Sequence, residues 1–247
     1  MSIPRFFVPL PLQPGATLAL PENVAHHALR VLRLPAGSPI VLFNGEGGAW
    51  QAMLSMQGKQ AMAELAAFDP RDTELPGRVT LVQGIATGDK MDWIIEKAVE
   101  LGAHAIAPIA AQRSVLRLSG ERLEKRVLHW RRIAQAACEQ CGRNRLPVVH
   151  APVTLAQWLA DPANAEGLRL MCHPEASDTL SSALSPRPTA ACLALLVGPE
   201  GGWAEEELQM AGRHDVRRVR FGARVLRTET AGLALLAATG ALLGWQD

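Results

Sequence analysis

From residue 78 onward, short apolar runs alternate with longer stretches in which apolar residues recur every three or four positions. This alternation is the strongest constraint the sequence places on the fold. Apolar runs of four to eight residues read as strands buried on both faces, and the amphipathic stretches between them read as the helices that cover them. Strand-like runs fall at 78–86, 105–109, 168–172, 191–197 and 216–221, and helical stretches at 89–101, 119–142, 154–159, 177–184, 205–212 and from 228 on. Asp89 and Ser119 stand where N-caps are expected, and Gly102 and Gly142 where helices stop. The expected fold class is α/β: a mainly parallel sheet with helices on both faces.

The first part of the chain is patterned differently. Strand-like runs at 5–8, 39–43, 49–56 and 60–67 surround one helical stretch at 24–32, and Asn44-Gly45-Glu46-Gly47-Gly48 has hairpin-turn composition. This pattern predicts a small β-barrel module. A polar, proline-bearing stretch from Asp69 through Gly77 follows, so the boundary is placed to give domains 1–72 and 73–247.

Two glycine-bearing segments mark the expected site. Leu195-Leu196-Val197-Gly198-Pro199-Glu200-Gly201-Gly202 and Phe221-Gly222-Ala223-Arg224-Val225-Leu226-Arg227-Thr228-Glu229-Thr230-Ala231 each leave a strand-like run and enter a helical one. Open α/β sheets bind ligands at such strand ends, where glycine lets a ligand approach bare backbone. The second segment packs two guanidinium groups, two hydroxyls and a carboxylate into residues 224–230, more polar chemistry than a structural corner needs.

Charge is balanced overall, 25 basic against 24 acidic residues, which argues against a generic polyanion binder. Locally it is not. Residues 112–146 hold nine Arg or Lys (Arg113, Arg117, Arg122, Lys125, Arg126, Arg131, Arg132, Arg143, Arg145) against three acids, and residues 213–227 hold six Arg against one Asp. Arginine's planar fork suits phosphate. With no Tyr and five Phe, a surface built on base stacking is not expected, so nucleic-acid contacts are expected to be electrostatic.

Several function classes are disfavoured. Cys138 and Cys141 form a C-x-x-C with no second pair, so no metal site is expected, and the absence of a signal-peptide pattern points to a cytoplasmic chain with reduced thiols. Residues 230–246 carry no charge and include the GxxxG at Gly240–Gly244, but the stretch is short and Ala-rich. It reads as a helix buried between layers or at a subunit interface rather than a membrane span. No Gly-x-Gly-x-x-Gly opens the first βα unit and no Walker sequence occurs, which leaves a dinucleotide-binding enzyme a weak rival. A non-catalytic RNA-binding protein of the same fold is the other alternative.

The chain closely resembles the ribosomal RNA small subunit methyltransferase E family of the SPOUT class. The resemblance rests on the two glycine segments together with Pro4-Arg5-Phe6-Phe7, Met91-Asp92-Trp93, Glu96-Lys97-Ala98-Val99-Glu100-Leu101-Gly102, Arg113-Ser114 and Glu139-Gln140-Cys141-Gly142-Arg143-Asn144. One departure is Gln112, where the family commonly has Glu. The resemblance implies a PUA-like RNA-binding domain followed by a knotted SPOUT domain that dimerises. It implies S-adenosylmethionine as cofactor and N3 of a uridine in 16S ribosomal RNA, free or in the small ribosomal subunit, as target. It further implies that backbone around Leu196, Gly198, Gly201, Gly222 and Leu226 cradles the adenosyl group, with Glu200 and Thr228 close by.

Alkylating a uracil nitrogen requires alignment of donor and acceptor and removal of an imide proton. Glu229 and Glu200 are the candidate carboxylates and Arg227 the candidate cation. Arg227 and Glu229 are taken as the catalytic pair, the identity of the base being left open at this stage. Arg5, Arg30, Arg33 and Arg143 are the expected RNA contacts.

Overall fold

The computed structural model describes residues 3–116, 119–185 and 192–245, and divides into two compact units: Met1–Glu74 with Gln135–Leu146, and Leu75–Ala134 with Pro147–Asp247. Arg117, Ala191 and Gln246, used in the charge, strand and helix expectations above, lie outside the described residues.

The first unit contains β1 (Arg5–Phe7), β2 (Thr17–Ala19), α1 (Glu22–His26), β3 (Pro39–Phe43), β4 (Ala49–Gln57) and β5 (Gln60–Asp69), with sheet order β1-β3-β4-β5-β2. The β4–β5 hairpin turns on Gly58, whose φ of +62° suits the first central position of a two-residue turn. Alternate side chains of β4 and β5, among them Leu54, Ala61, Ala63 and Leu65, join Phe6, Val24, Ile40 and Leu42 in one core. The helical stretch expected over 24–32 is α1 followed by a single π-turn, His27–Val31, after which Arg33 takes a positive φ of 53°. β2 was not expected, because three residues are too few to show alternation.

Polar fastenings hold the unit's second segment to its first. Arg143 is 4% exposed, and its guanidinium pairs with Glu74. Arg5 donates to Asn144 Oδ1 at 2.5 Å and to the carbonyls of Gly142 and Arg143, while Asn144 donates to the Arg71 carbonyl. Buried polar groups of this kind need such partners.

The second unit contains β6 (Arg78–Gly84), α2 (Lys90–Glu100), β7 (Ala105–Ile109), α3 (Gly120–Cys141, of which the residues from Gln135 count with the first unit), β8 (Val148–Val149), α4 (Leu155–Ala160), β9 (Leu168–Cys172), α5 (Leu180–Ala183), β10 (Cys192–Val197), α6 (Glu205–Arg213), β11 (Arg217–Val219) and α7 (Thr228–Leu243). The six strands are ordered β11-β9-β10-β6-β7-β8 and every pairing is parallel. α4 and α6 bury Leu155, Trp158, Leu208 and Ala211 against Val82, Met171 and Leu196 of the sheet. α7 packs on α2 and against β6 and β10. Gly232 permits that approach, since a Cβ there would sit 3.1 Å from Leu81 Cδ1.

Local details differ from expectation at several ends. Asp89 occupies the N-cap of α2 but its side chain caps nothing, whereas Thr154 and Thr179 form complete capping boxes on α4 and α5. The helix expected at 177–184 begins only after the Thr179 cap, and the strand expected at 216–221 is shorter. Among the described residues no helix is long and apolar enough to cross a membrane, no cluster of side chains is arranged to hold a metal ion, and all four cysteines are free.

Candidate functional site

A cavity of about 530 Å³ in the second unit opens at the carboxyl ends of three neighbouring strands. Its walls are Cys172-His173-Pro174 after β9, the turn from Val197 to Trp203 after β10, and the segment from Arg220 through Ala231 that leads from β11 into α7. This size and position are typical of a small-molecule site in an open α/β sheet.

The two glycine turns are brought together by hydrogen bonds. Thr228 donates its hydroxyl to the Gly198 carbonyl at 2.5 Å and accepts from Gln83 Nε2 at 2.9 Å; Gln83 also donates to the Gly84 carbonyl. Gly202 and Gly222 have φ of +68° and +71°, which leaves bare backbone on the cavity wall. Gly84 is required for a close approach, because a Cβ there would lie 2.5 Å from Pro199 N and Cδ.

Charged side chains line the mouth. Glu200 Oε1 accepts from the Thr87 amide at 3.0 Å, the Thr87 hydroxyl at 2.7 Å and Lys90 Nζ at 3.1 Å. Burial works against ionisation of Glu200, but these bonds and one from its own amide outweigh it and bring its pKa down to about 2. Such a carboxylate is a weak base. The Glu229 carboxylate is contacted differently: its Oε2 is covered and accepts no hydrogen bond, Lys90 Nζ is 3.9 Å away, and Arg227 stands 3.7 Å from Oε1. The Arg227 side chain is itself 82% exposed. Arg113 donates to the Gly201 carbonyl at 3.1 Å. Arg113 follows Gln112, whose amide is held by the buried Glu207 carboxylate, which also caps α6 through the Ala204 amide.

Of the residues expected from the sequence, Gly198, Glu200, Gly222, Leu226, Arg227, Thr228 and Glu229 line this one cavity. Leu196 is buried within β10, and Gly201 packs beside Arg113. Arg5, Arg30, Arg33 and Arg143 all belong to the first unit. Arg30 and Arg33 are exposed, whereas Arg143 is committed to Glu74. Arg143, expected to contact RNA, has its guanidinium buried in an ion pair. Sequence reasoning gave no site role to Lys90, Trp203 or the β9 wall. The strand-end rule was sufficient to find the β9 wall, since His173 directly follows a recognised strand.

A family model for an RNA methyltransferase domain matches residues 73–240, and one for an RNA methyltransferase PUA domain matches residues 20–65. The ribosomal RNA small subunit methyltransferase E of Bacillus subtilis is 32% identical over 95% of this chain and 94% of its own length. The chain belongs to the ribosomal RNA small subunit methyltransferase E family. The Synechocystis member is 36% identical over 92% of this chain and 74% of its own length. The crystal structure of the Neisseria gonorrhoeae member, bound to S-adenosyl methionine, is 39% identical, superposes with a TM-score of 0.90, and covers 98% of each chain. The two-unit α/β architecture is therefore that of this methyltransferase family.

Proposed function

We propose that this chain is an S-adenosylmethionine-dependent methyltransferase that modifies N3 of a uridine in 16S ribosomal RNA of the small ribosomal subunit. It works in the cytoplasm as a homodimer with a knotted C-terminal domain, the apolar α7 contributing to the subunit interface. The observation that carries the reading is the Thr228–Gly198 link, which makes one cavity out of two turns some thirty residues apart. The cavity's chemistry fits the cofactor. Bare backbone at Gly198, Gly202 and Gly222 accommodates a flat nucleoside, and the Glu200 and Glu229 carboxylates suit a cationic ligand.

When bound, the cofactor supplies an electrophilic methyl group on a sulfonium. Backbone around Leu196, Gly198, Gly201, Gly222 and Leu226 holds the adenosyl moiety, with Glu200 and Thr228 at its edge. Glu229 takes the N3 proton as the N–CH3 bond forms and the S–CH3 bond breaks, leaving a neutral thioether. Arg227 faces the negative charge that develops on the uracil oxygens. Glu229 is favoured over Glu200 as base because Glu200 Oε1 already accepts from the Thr87 amide, the Thr87 hydroxyl and Lys90 and the carboxyl is held near pKa 2. Arg30 and Arg33, with Arg5 at the edge, carry the phosphate contacts of the first domain, residues 1–72, while residues 73–247 form the catalytic domain.

Two measurements test the reading. Calorimetric titration is expected to show saturable S-adenosylmethionine binding; a preference for NAD or ATP would reject it. Mass mapping of ribosomal RNA from cells lacking the gene is expected to show the loss of one N3-methyluridine, and an unchanged map would reject the assignment. RNA binding without methyl transfer would support the non-catalytic alternative.

A further inference from the structure

Lys90 is the first residue of α2, and its ammonium stands between the two carboxylates of the cavity, 3.1 Å from Glu200 Oε1 and 3.9 Å from Glu229 Oε2. Glu200 comes from the turn after β10 and Glu229 from the first turn of α7. One side chain therefore joins three elements that converge at the strand ends.

The two contacts are unequal. Glu200 is anchored without Lys90, by the amide and hydroxyl of Thr87. Glu229 Oε2, by contrast, is shielded from solvent with no hydrogen-bond donor, a condition that a carboxylate tolerates only beside a compensating charge. Two cations face Glu229. Arg227 lies on the exposed segment before α7, and its side chain is 82% exposed. Lys90 is 36% exposed and tied at its other side to Glu200. Arg227 is free to turn toward the acceptor, while Lys90 is the cation the protein itself holds in place.

We propose that Lys90 is a positioning residue for methyl transfer. Anchored on Glu200, it holds the Glu229 carboxylate in its observed orientation and leaves Oε1 for the acceptor N–H. This inference rests on the reading of Glu229 as base.

The test is steady-state methylation of small-subunit RNA by the full chain carrying Lys90→Met, Lys90→Arg, Glu229→Gln, or Lys90→Met with Glu229→Gln. Lys90→Met is expected to lower kcat by about ten- to a hundredfold, with the KM for S-adenosylmethionine within about twofold of wild type. Lys90→Arg is expected to restore most of the loss. On the Glu229→Gln background, Lys90→Met is expected to have no further effect, since a residue that acts through another contributes nothing once that other is gone. Independent, multiplying losses would overturn the proposal. So would loss of cofactor binding by Lys90→Met in calorimetry, which would make Lys90 a part of the cofactor cradle. The underlying reading fails separately: wild-type kcat in Glu229→Gln removes the base and Lys90's role with it. An inactive Glu229→Gln beside a fully active Lys90→Met removes Lys90 alone.

Discussion

The Thr228 hydroxyl donates to the Gly198 carbonyl at 2.5 Å, and its proton has no other course, because Gln83 Nε2 donates to the same oxygen from 2.9 Å. A hydroxyl carries one proton, so a donor on one side directs that proton to the acceptor on the other. Gln83 is fully buried at the end of β6, Gly198 begins the turn after β10, and Thr228 opens α7. Three elements are thus registered by one oxygen atom.

Thr228→Val preserves shape and removes both bonds, stranding the Gly198 carbonyl and one Gln83 donor. The expected loss of stability is about 1–3 kcal/mol, read by urea unfolding. Calorimetry is expected to show S-adenosylmethionine affinity reduced about tenfold, as the two turns lose their register. Thr228→Ser keeps the hydroxyl and is expected to bind nearly as wild type. Equal affinity in the Val variant would show that the turns are registered by packing alone.

Glycines at the site differ in what they do, and substitution separates them. At Gly84 an added Cβ meets Pro199 backbone at 2.5 Å, so Gly84→Ala must displace the turn after β10 and is expected to abolish cofactor binding. At Gly222 nothing lies within 4 Å of an added Cβ, and only the φ of +71° resists substitution. Gly222→Ala is therefore expected to cost about 1–2 kcal/mol in backbone strain and leave measurable binding. Calorimetric titration of the two variants side by side decides the point.

The parallel sheet and the glycine turns were legible in the sequence because short apolar runs such as 105–109 and 193–197 alternate with longer amphipathic stretches and end in turn residues. The partnership of Gln83, Thr228 and Gly198 was not. It joins residues up to 145 positions apart, and no local pattern encodes which strand end lies next to which. Lys90 was overlooked for a similar reason: at a helix start it reads as an ordinary exposed cation until the fold sets two carboxylates against it. The surroundings of Arg143 were not legible either. A basic residue beside other basic residues suggests a charged surface, and only the return of the chain to Glu74 shows it buried.

Glu200 links the site to acid stability. Its folded pKa of about 2 lies below the ordinary value of 4.5, so the ionised form is favoured by folding. Its contribution is full above about pH 4.5 and is lost as pH falls toward 2. Urea unfolding of wild type and Glu200→Gln at pH 7, 4.5 and 3 is expected to show wild type more stable at pH 7 and the difference shrinking over the lower two. A difference that stays constant with pH would mean that the Thr87 bonds hold a neutral side chain equally well.

The arginines of the first unit separate into structural and available groups. Arg143 is buried against Glu74, so Arg143→Met leaves a carboxylate unpaired and is expected to destabilise the protein by about 3 kcal/mol, with any loss of RNA affinity following the loss of fold. Arg30 and Arg33 are exposed and form no ion pair among the described residues, and Arg33 holds a positive φ of 53°, which fixes the turn that presents them. Arg30→Ala with Arg33→Ala is expected to leave stability and cofactor binding unchanged. RNA affinity is expected to fall, and the slope of log affinity against log salt to flatten by about 0.7 for each single-stranded phosphate contact removed. The slope is the deciding quantity, because a variant that merely unfolds loses affinity at all salt concentrations alike, whereas one that loses phosphate contacts releases fewer counterions. An unaltered slope would place the RNA on a different face of the protein.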